Sequence, residues 1–260
     1  MLRSLYVLPL LVMGALGVAA CSSDDDDDPP ATGGSGGSGG SAGKAGTGGS
    51  AGGSNPAAMT FFVTSQTNTG NLGGLSGADA ICERLAAAVG AGGKDWRAYL
   101  SVDDDGAGQP VHARDRIGSG PWANAQGEVV ATDVTALHTR TGNVDIFLDE
   151  KGAKINGQWG GSPSPNQHDV LTGSTSEGKL QVGQTEAQVG FSLTCKNWTS
   201  DTDDEGSRAQ VGHTDGLGPN QDAAPPRNSW QSAHASRGCS QGALSMTGSA
   251  GRFYCFATKK

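Results

Sequence analysis

The stretch Ser76–Ser101, SGADAICERLAAAVGAGGKDWRAYLS, reads as a helix, a glycine-rich turn and a strand. Ser76 is placed to cap the helix, with Asp79 three residues on at the capping-box offset. Ile81, Leu85 and Ala88 recur on one face, joined by Cys82 and Val89, and Gly90 supplies a C-terminal stop. Cys82 therefore faces the core from a helix. WRAYLS (Trp96–Ser101) then has the aromatic content of a strand. One substantial helix set among short strands indicates an α+β fold: a small twisted antiparallel sheet, one main helix and long loops.

Working outward, Met59–Ser65 (MTFFVTS) is a first strand and Thr67–Gly74 a turn. Downstream, Gly142–Gly157 reads as a hairpin with apolar residues on both sides of a Glu-Lys-Gly turn, and His168–Ser174 (HDVLTGS) as a short strand. Between Asp201 and Gly238 the only large aliphatics are Val211 and Leu217, which predicts a long irregular excursion of the kind that often carries function. Gly251–Thr258 closes the domain as a strand, with Phe253, Cys255 and Ala257 on one side and Tyr254 and Phe256 on the other.

The N-terminal end has a different composition. Arg3 followed by LYVLPLLVMGALGVAA is a charged n-region and an apolar h-region, the pattern of an export signal over residues 1–20. VAAC (Val18–Cys21) resembles the lipobox of bacterial lipoproteins, which implies cleavage before Cys21, lipidation of Cys21 and anchoring by its acyl chains. Ser22 after the cysteine implies sorting to the outer membrane, facing the periplasm or the cell surface. Residues 21–56 then form an Asp/Gly/Ser-rich tether with no apolar residue larger than Ala or Pro, expected to stay disordered and to reach roughly 30–35 Å. The folded domain is expected over residues 57–260. Setting aside Arg3, Lys44 and Asp24–Asp28 leaves 16 basic against 21 acidic residues, a net charge of −5. With no basic run, nucleic acid is not an expected partner.

Apart from Cys21, four cysteines remain, Cys82, Cys195, Cys239 and Cys255; in an exported chain an even number favours two disulfides, with three pairings open. Asp201, Asp203, Glu205 and Gly206 occupy positions 1, 3, 5 and 6 of a calcium-loop pattern, but position 12 is Gly212 where a bidentate Glu belongs. Calcium is the one cofactor this loop suggests, completed by Asp215 or Asp222; the alternative is a solvated acidic turn. Trp122, Trp159 and Trp230 lie in loop-like contexts, as candidate ligand-stacking rings or as plugs of a loop-rich core. His112, His138, His168, His213 and His234 show no metal-ligand spacing.

Several segments carry a resemblance. Phe61–Ser101, together with ARDRIGSGPW (113–122), LTGSTSEG (171–178), CKNW (195–198) and the closing FYCF (253–256), resembles the endostatin-like domains of bacterial lipoproteins, in the same order. The resemblance implies a divergent C-type-lectin-like fold with disulfides Cys82–Cys255 and Cys195–Cys239. It does not bring over a heparin site or an N-terminal zinc site, because the domain is acidic and no His-x-His precedes its first strand. Ser164–Asn166 and Gly218–Asn220 lack the acid of the sugar-binding calcium triplet. The expectation is a surface-anchored ligand-binding or adhesion module for an unidentified glycan or protein, and not an enzyme. The alternatives are a cell-envelope hydrolase with a non-motif active site and a structural envelope protein. Clustered carboxylates and histidines in one deep pocket would favour the enzyme.

Overall fold

The computed structural model describes residues 55–183 and 190–259, all within one compact unit, Gly49–Lys260. Cys21 and the expected signal and tether lie outside the described residues. Eight strands are formed: β1 (Phe61–Val63), β2 (Trp96–Ala98), β3 (Trp122–Ala123), β4 (Val129–Ala131), β5 (Asp169–Leu171), β6 (Gln210–His213), β7 (His234–Ala235) and β8 (Ser249–Ala257). The main helix, α1, runs Gly74–Ala88. The architecture is α+β, as the sequence predicts.

The last strand organises the sheet, whose order is β1-β8-β5-β6-β7 with β2 also paired to β8. The C-terminal half of β8 lies antiparallel between β1 (Phe62 opposite Cys255) and β2 (Ala98 opposite Cys255). Its N-terminal half runs parallel to β5. The sheet is thus mixed and not wholly antiparallel. The long connection through β6 and β7 supplies the crossover that parallel neighbours require. β8 is buried almost throughout because it has partners on both edges and packing on both faces. Tyr254 and Phe256 pack with Phe61, while Tyr254 also meets Phe147 and Trp230. Tyr254 donates its hydroxyl to the carbonyl of Trp230 at 2.7 Å, which satisfies a phenol that is otherwise fully buried.

Helix α1 starts before Ser76. Gly73 caps it in the left-handed region (φ 76°), and Ser76 lies in its first turn. Asp79 does not close a capping box; it accepts from the backbone of Ala98 at 2.8 Å and from Arg116 Nη2 at 2.7 Å, joining helix to strand. The buried face is Ala78, Cys82, Leu85 and Ala86. Cys82 pairs with Cys255 of β8, and Cys195 pairs with Cys239.

Two segments differ from the sequence reading. Gly142–Gly157 forms no strand ladder, because Asn143 and Asp149 capture their own downstream amides in side-chain turns. Its Ile146, Phe147 and Leu148 plug the core instead. The excursion after Asp201 contains β6 and β7. The sequence QVGH (210–213) conceals a strand because Gly212 replaces a large residue: a Cβ there would lie 1.9 Å from the Trp230 carbonyl oxygen. Further upstream, Cys195–Trp198 is a turn of four consecutive left-handed residues, φ 48° to 62°. Each costs about 1–2 kcal/mol, offset by the disulfide, by burial of Trp198 and by its indole bond to the Ser101 carbonyl at 2.9 Å.

The two disulfides close loops of different length, with sequence separations of 173 and 44. On chain entropy, removing the first should cost about 5 kcal/mol and the second about 4. Chemical denaturation of Cys82→Ala/Cys255→Ala and Cys195→Ala/Cys239→Ala double variants checks the order; a larger loss for the second pair would show that the left-handed turn depends on its disulfide beyond chain entropy.

Candidate metal centre

The sheet brings three separated pieces of sequence to one point. Asp169 opens β5 and lies directly opposite His213, the last residue of β6. His234 opens β7 opposite Val211, two residues before His213, so side-chain alternation puts both imidazoles on one face. His168 precedes β5. Its own carbonyl accepts from Thr214 N at 3.0 Å, which holds the two strand ends together.

All three imidazoles turn Nε2 toward the Asp169 carboxylate. His168 Nε2 is 3.2 Å and His213 Nε2 3.3 Å from Oδ1, and His234 Nε2 is 3.5 Å from Oδ2. None of these contacts has the alignment of a hydrogen bond. Among the described residues neither Asp169 oxygen accepts one from any protein group, and the buried His213 Nε2 has no hydrogen-bond partner. A carboxylate with 0 % side-chain exposure that meets the neighbouring His168 without an aligned hydrogen bond is a costly arrangement.

The opposite ring nitrogens explain the orientation. His168 Nδ1 donates to Asp215 Oδ1 at 2.8 Å, and His213 Nδ1 donates to the carbonyl of Arg227 at 2.8 Å. Both acceptors lack a proton of their own, so each Nδ1 carries hydrogen; Nε2 of His213, and of His168 once it gives up its second proton, then offers a lone pair beside Asp169. Asp215 is fully used: it also accepts from Gln158 N at 2.7 Å and Leu217 N at 3.1 Å. Gly157 is required beside it, since a Cβ would lie 2.2 Å from Asp215 Oδ2. The His168 and His213 rings stack, centroids 4.3 Å apart. His234 is held less firmly, by a 3.2 Å contact to the carbonyl of Ala235, and its side chain is 37 % exposed.

The ligand-capable atoms of His168, Asp169 and His213 all lie within 4.8 Å of one another. Zinc bonds of about 2.0–2.1 Å in a tetrahedron separate neighbouring ligand atoms by roughly 3.3–3.4 Å, close to the distances from His168 and His213 to Asp169; His234 lies outside this three-residue set. His168 and His213 form the floor of a cavity of about 560 Å³, with His234, Arg227, Gln158 and Asn166 on its walls.

Electrostatics separates the two stacked rings. Burial works against a charged His168, but the carboxylates of Asp169 and Asp215 outweigh it and raise its pKa to about 9. Burial lowers the pKa of His213 to about 4, with His168 and His234 acting in the same direction against Asp169.

The residues singled out by sequence lie elsewhere. Asp201, Asp203 and Glu205 are exposed. Asp203 accepts from Cys239 N, Ser240 N and Ser240 Oγ, bracing the second disulfide, and these three acids do not converge into a cluster. Of the two acids considered as completing that loop, Asp215 belongs to the histidine cluster and Asp222 pairs with Arg227. Trp122 and Trp230 are buried core residues and offer no ring to a ligand. Trp159 is half-buried, its indole donating to the carbonyl of Ile155 at 2.9 Å. Of the cluster, the sequence singled out only Asp215, as a possible completion of the acidic loop. No spacing signal marks the three histidines, because strand pairing alone brings them together. Comparison of the chain with protein-family models and with curated proteins returns no match.

The two shifts give the metal-free protein a stability maximum. His168, with its pKa raised from about 6.5 to about 9, contributes stability that is present below pH 6.5 and lost as pH rises through 9. His213, lowered to about 4, makes the unfolded chain bind more protons below about pH 6.5, so stability falls as pH drops toward 4. Melting in EDTA across this range should therefore peak near pH 6–7, about the unperturbed histidine pKa. His168→Gln should flatten the alkaline limb and His213→Gln the acid limb; variants that leave both limbs intact would refute the assignment.

Proposed function

We propose that this chain is a lipid-anchored, exported binding protein whose folded domain carries a zinc ion on His168, Asp169, His213 and His234. The observation that carries the metal is the Asp169 carboxylate, buried with both oxygens unpartnered and faced by three Nε2 atoms. Imidazole and carboxylate donors suit zinc among the available divalent ions. The bonds that His168 and His213 donate to Asp215 and to the Arg227 carbonyl are of the kind that orient metal-bound histidines.

Carboxylates and histidines gathered at one cavity are the arrangement set out above as favouring an enzyme; what favours binding is that, among the described residues, no free acid or base is left beside them. The carboxylates at the site are both committed, Asp169 toward the metal and Asp215 to His168. Beyond the histidines themselves, the cavity wall among the described residues offers amides, a threonine, prolines and Arg227, with no carboxylate or lysine placed to move a proton. The lipobox-like Val18–Cys21 and the Gly/Ser tether support outer-membrane anchoring with the domain held clear of the lipid. A C-type-lectin-like, endostatin-like fold is supported by the pairing of the first strand with the last and by the two disulfides, Cys82–Cys255 and Cys195–Cys239.

Elemental analysis of the purified protein after zinc loading and dialysis should give one zinc per chain, with a raised melting temperature reversed by chelator. Asp169→Asn makes the sharpest contrast. It removes a buried carboxylate that helps to hold His168 protonated, so in EDTA at pH 8 it should melt lower than wild type, and zinc should no longer stabilise it. Asp203→Ala should lower stability by about 1–3 kcal/mol through its lost hydrogen bonds while leaving zinc binding intact. Undiminished zinc stabilisation of Asp169→Asn would exclude the site.

A further inference from the structure

Resting on the zinc reading above, we propose that His234 is an exchangeable ligand, and that the cavity beside it admits a small carboxylic acid whose carboxylate takes its place on the metal while Arg227 pairs with that ligand. The four proposed donors are not equivalent: only His168, Asp169 and His213 bring ligand atoms within 4.8 Å of one another, and His234 lies outside that set. His168 and His213 are buried, stacked on each other and locked from behind by 2.8 Å bonds. Asp169 is buried at the start of a strand whose two neighbours fix it. His234 sits instead on a two-residue strand at the sheet edge, paired only with β6. It makes the longest contact to the carboxylate, has the weakest support behind it and is the most exposed of the three histidines that line the cavity.

Without His234 the remaining set is two imidazoles and one carboxylate, the donor count of zinc sites that keep an open position. That set leaves one net positive charge on the ion, and a monoanionic ligand neutralises it. Arg227 lies on the same wall. Its carbonyl accepts from His213 Nδ1 and its side-chain stem is pressed against Gly218, where a Cβ would lie 2.1 Å from Arg227 Cδ. Arg227 lines the cavity, and among the described residues its guanidinium has the half-exposed Asp222 as ion-pair partner, an exposed pair that an incoming carboxylate can replace. The cavity volume, about 560 Å³, lies within the range of small-molecule sites.

Cobalt(II) substitution of the full chain tests this, because the visible bands of cobalt report its donor set. Titration with succinate should change those bands saturably, and succinamide, of the same shape without the charge, should not. Arg227→Gln should weaken succinate binding by about 10-fold or more, the loss of a charge-assisted hydrogen bond. His234→Ala should bind cobalt with altered bands, bind succinate at least as tightly as wild type, and recover the wild-type bands on addition of imidazole. Wild-type bands that ignore succinate, with His234→Ala bands unchanged from wild type, would overturn the exchange while leaving the metal centre standing. Failure of cobalt to bind at all would overturn both.

Discussion

Nine residues, Ser249–Ala257, hold the domain together. β8 is the one strand that touches β1, β2 and β5, so every other part of the main sheet is placed relative to it. It ties the helix through Cys82–Cys255 and supplies Tyr254 and Phe256 to the aromatic core. A strand in this position needs side chains that can be buried on both faces, and GRFYCFA satisfies that with one charge, Arg252. That guanidinium donates to the Thr64 carbonyl at 2.7 Å and to Gln167 Oε1 at 2.8 Å, so the charge is held by hydrogen bonds at the strand's margin.

The same strand reaches the candidate site through two links. Its parallel pairing with β5 fixes Asp169, whose carbonyl accepts from Ser249 Oγ at 2.8 Å. Tyr254 fixes Trp230 through a hydrogen bond to its carbonyl, and that carbonyl presses against Gly212 of β6. Asp169 and His213 are thus positioned from one aromatic core, from opposite sides. Core packing supplies the rigidity with which a buried carboxylate and two locked imidazoles can be held without a proton-aligned contact between them. His234, beyond the reach of these links, is the donor left loose. The division between fixed and loose donors follows from sheet topology and needs no separate device.

Much of the frame is legible in the sequence because its signals are local. The helix around Cys82, the strand at Phe61–Val63 and the closing strand follow from apolar period and β-branched or aromatic content. Cys195 and Trp198 are core residues and the acids after them face water. The helix start shifts because Asp79 has a better use, bonding Arg116 and Ala98. The site is illegible for a physical reason. Its donors are separated by long stretches of chain, and two of the strands that carry them are short and poor in large aliphatics. Close backbone approach, as at Gly212, replaces side-chain packing there, so the periodic signal vanishes where the chemistry is placed. The acidic loop shows the converse, a strong compositional signal whose best-connected carboxylate, Asp203, braces a disulfide.

On the proposed reading, the buried Asp169 carboxylate is there to meet a metal ion. Anomalous diffraction at the zinc edge from crystals of the zinc-loaded protein tests it most directly. A single strong peak is expected between Asp169 and the Nε2 atoms of His168 and His213, with metal–donor distances of about 2.0–2.2 Å. A peak at Asp201–Glu205, or none at Asp169, would contradict it.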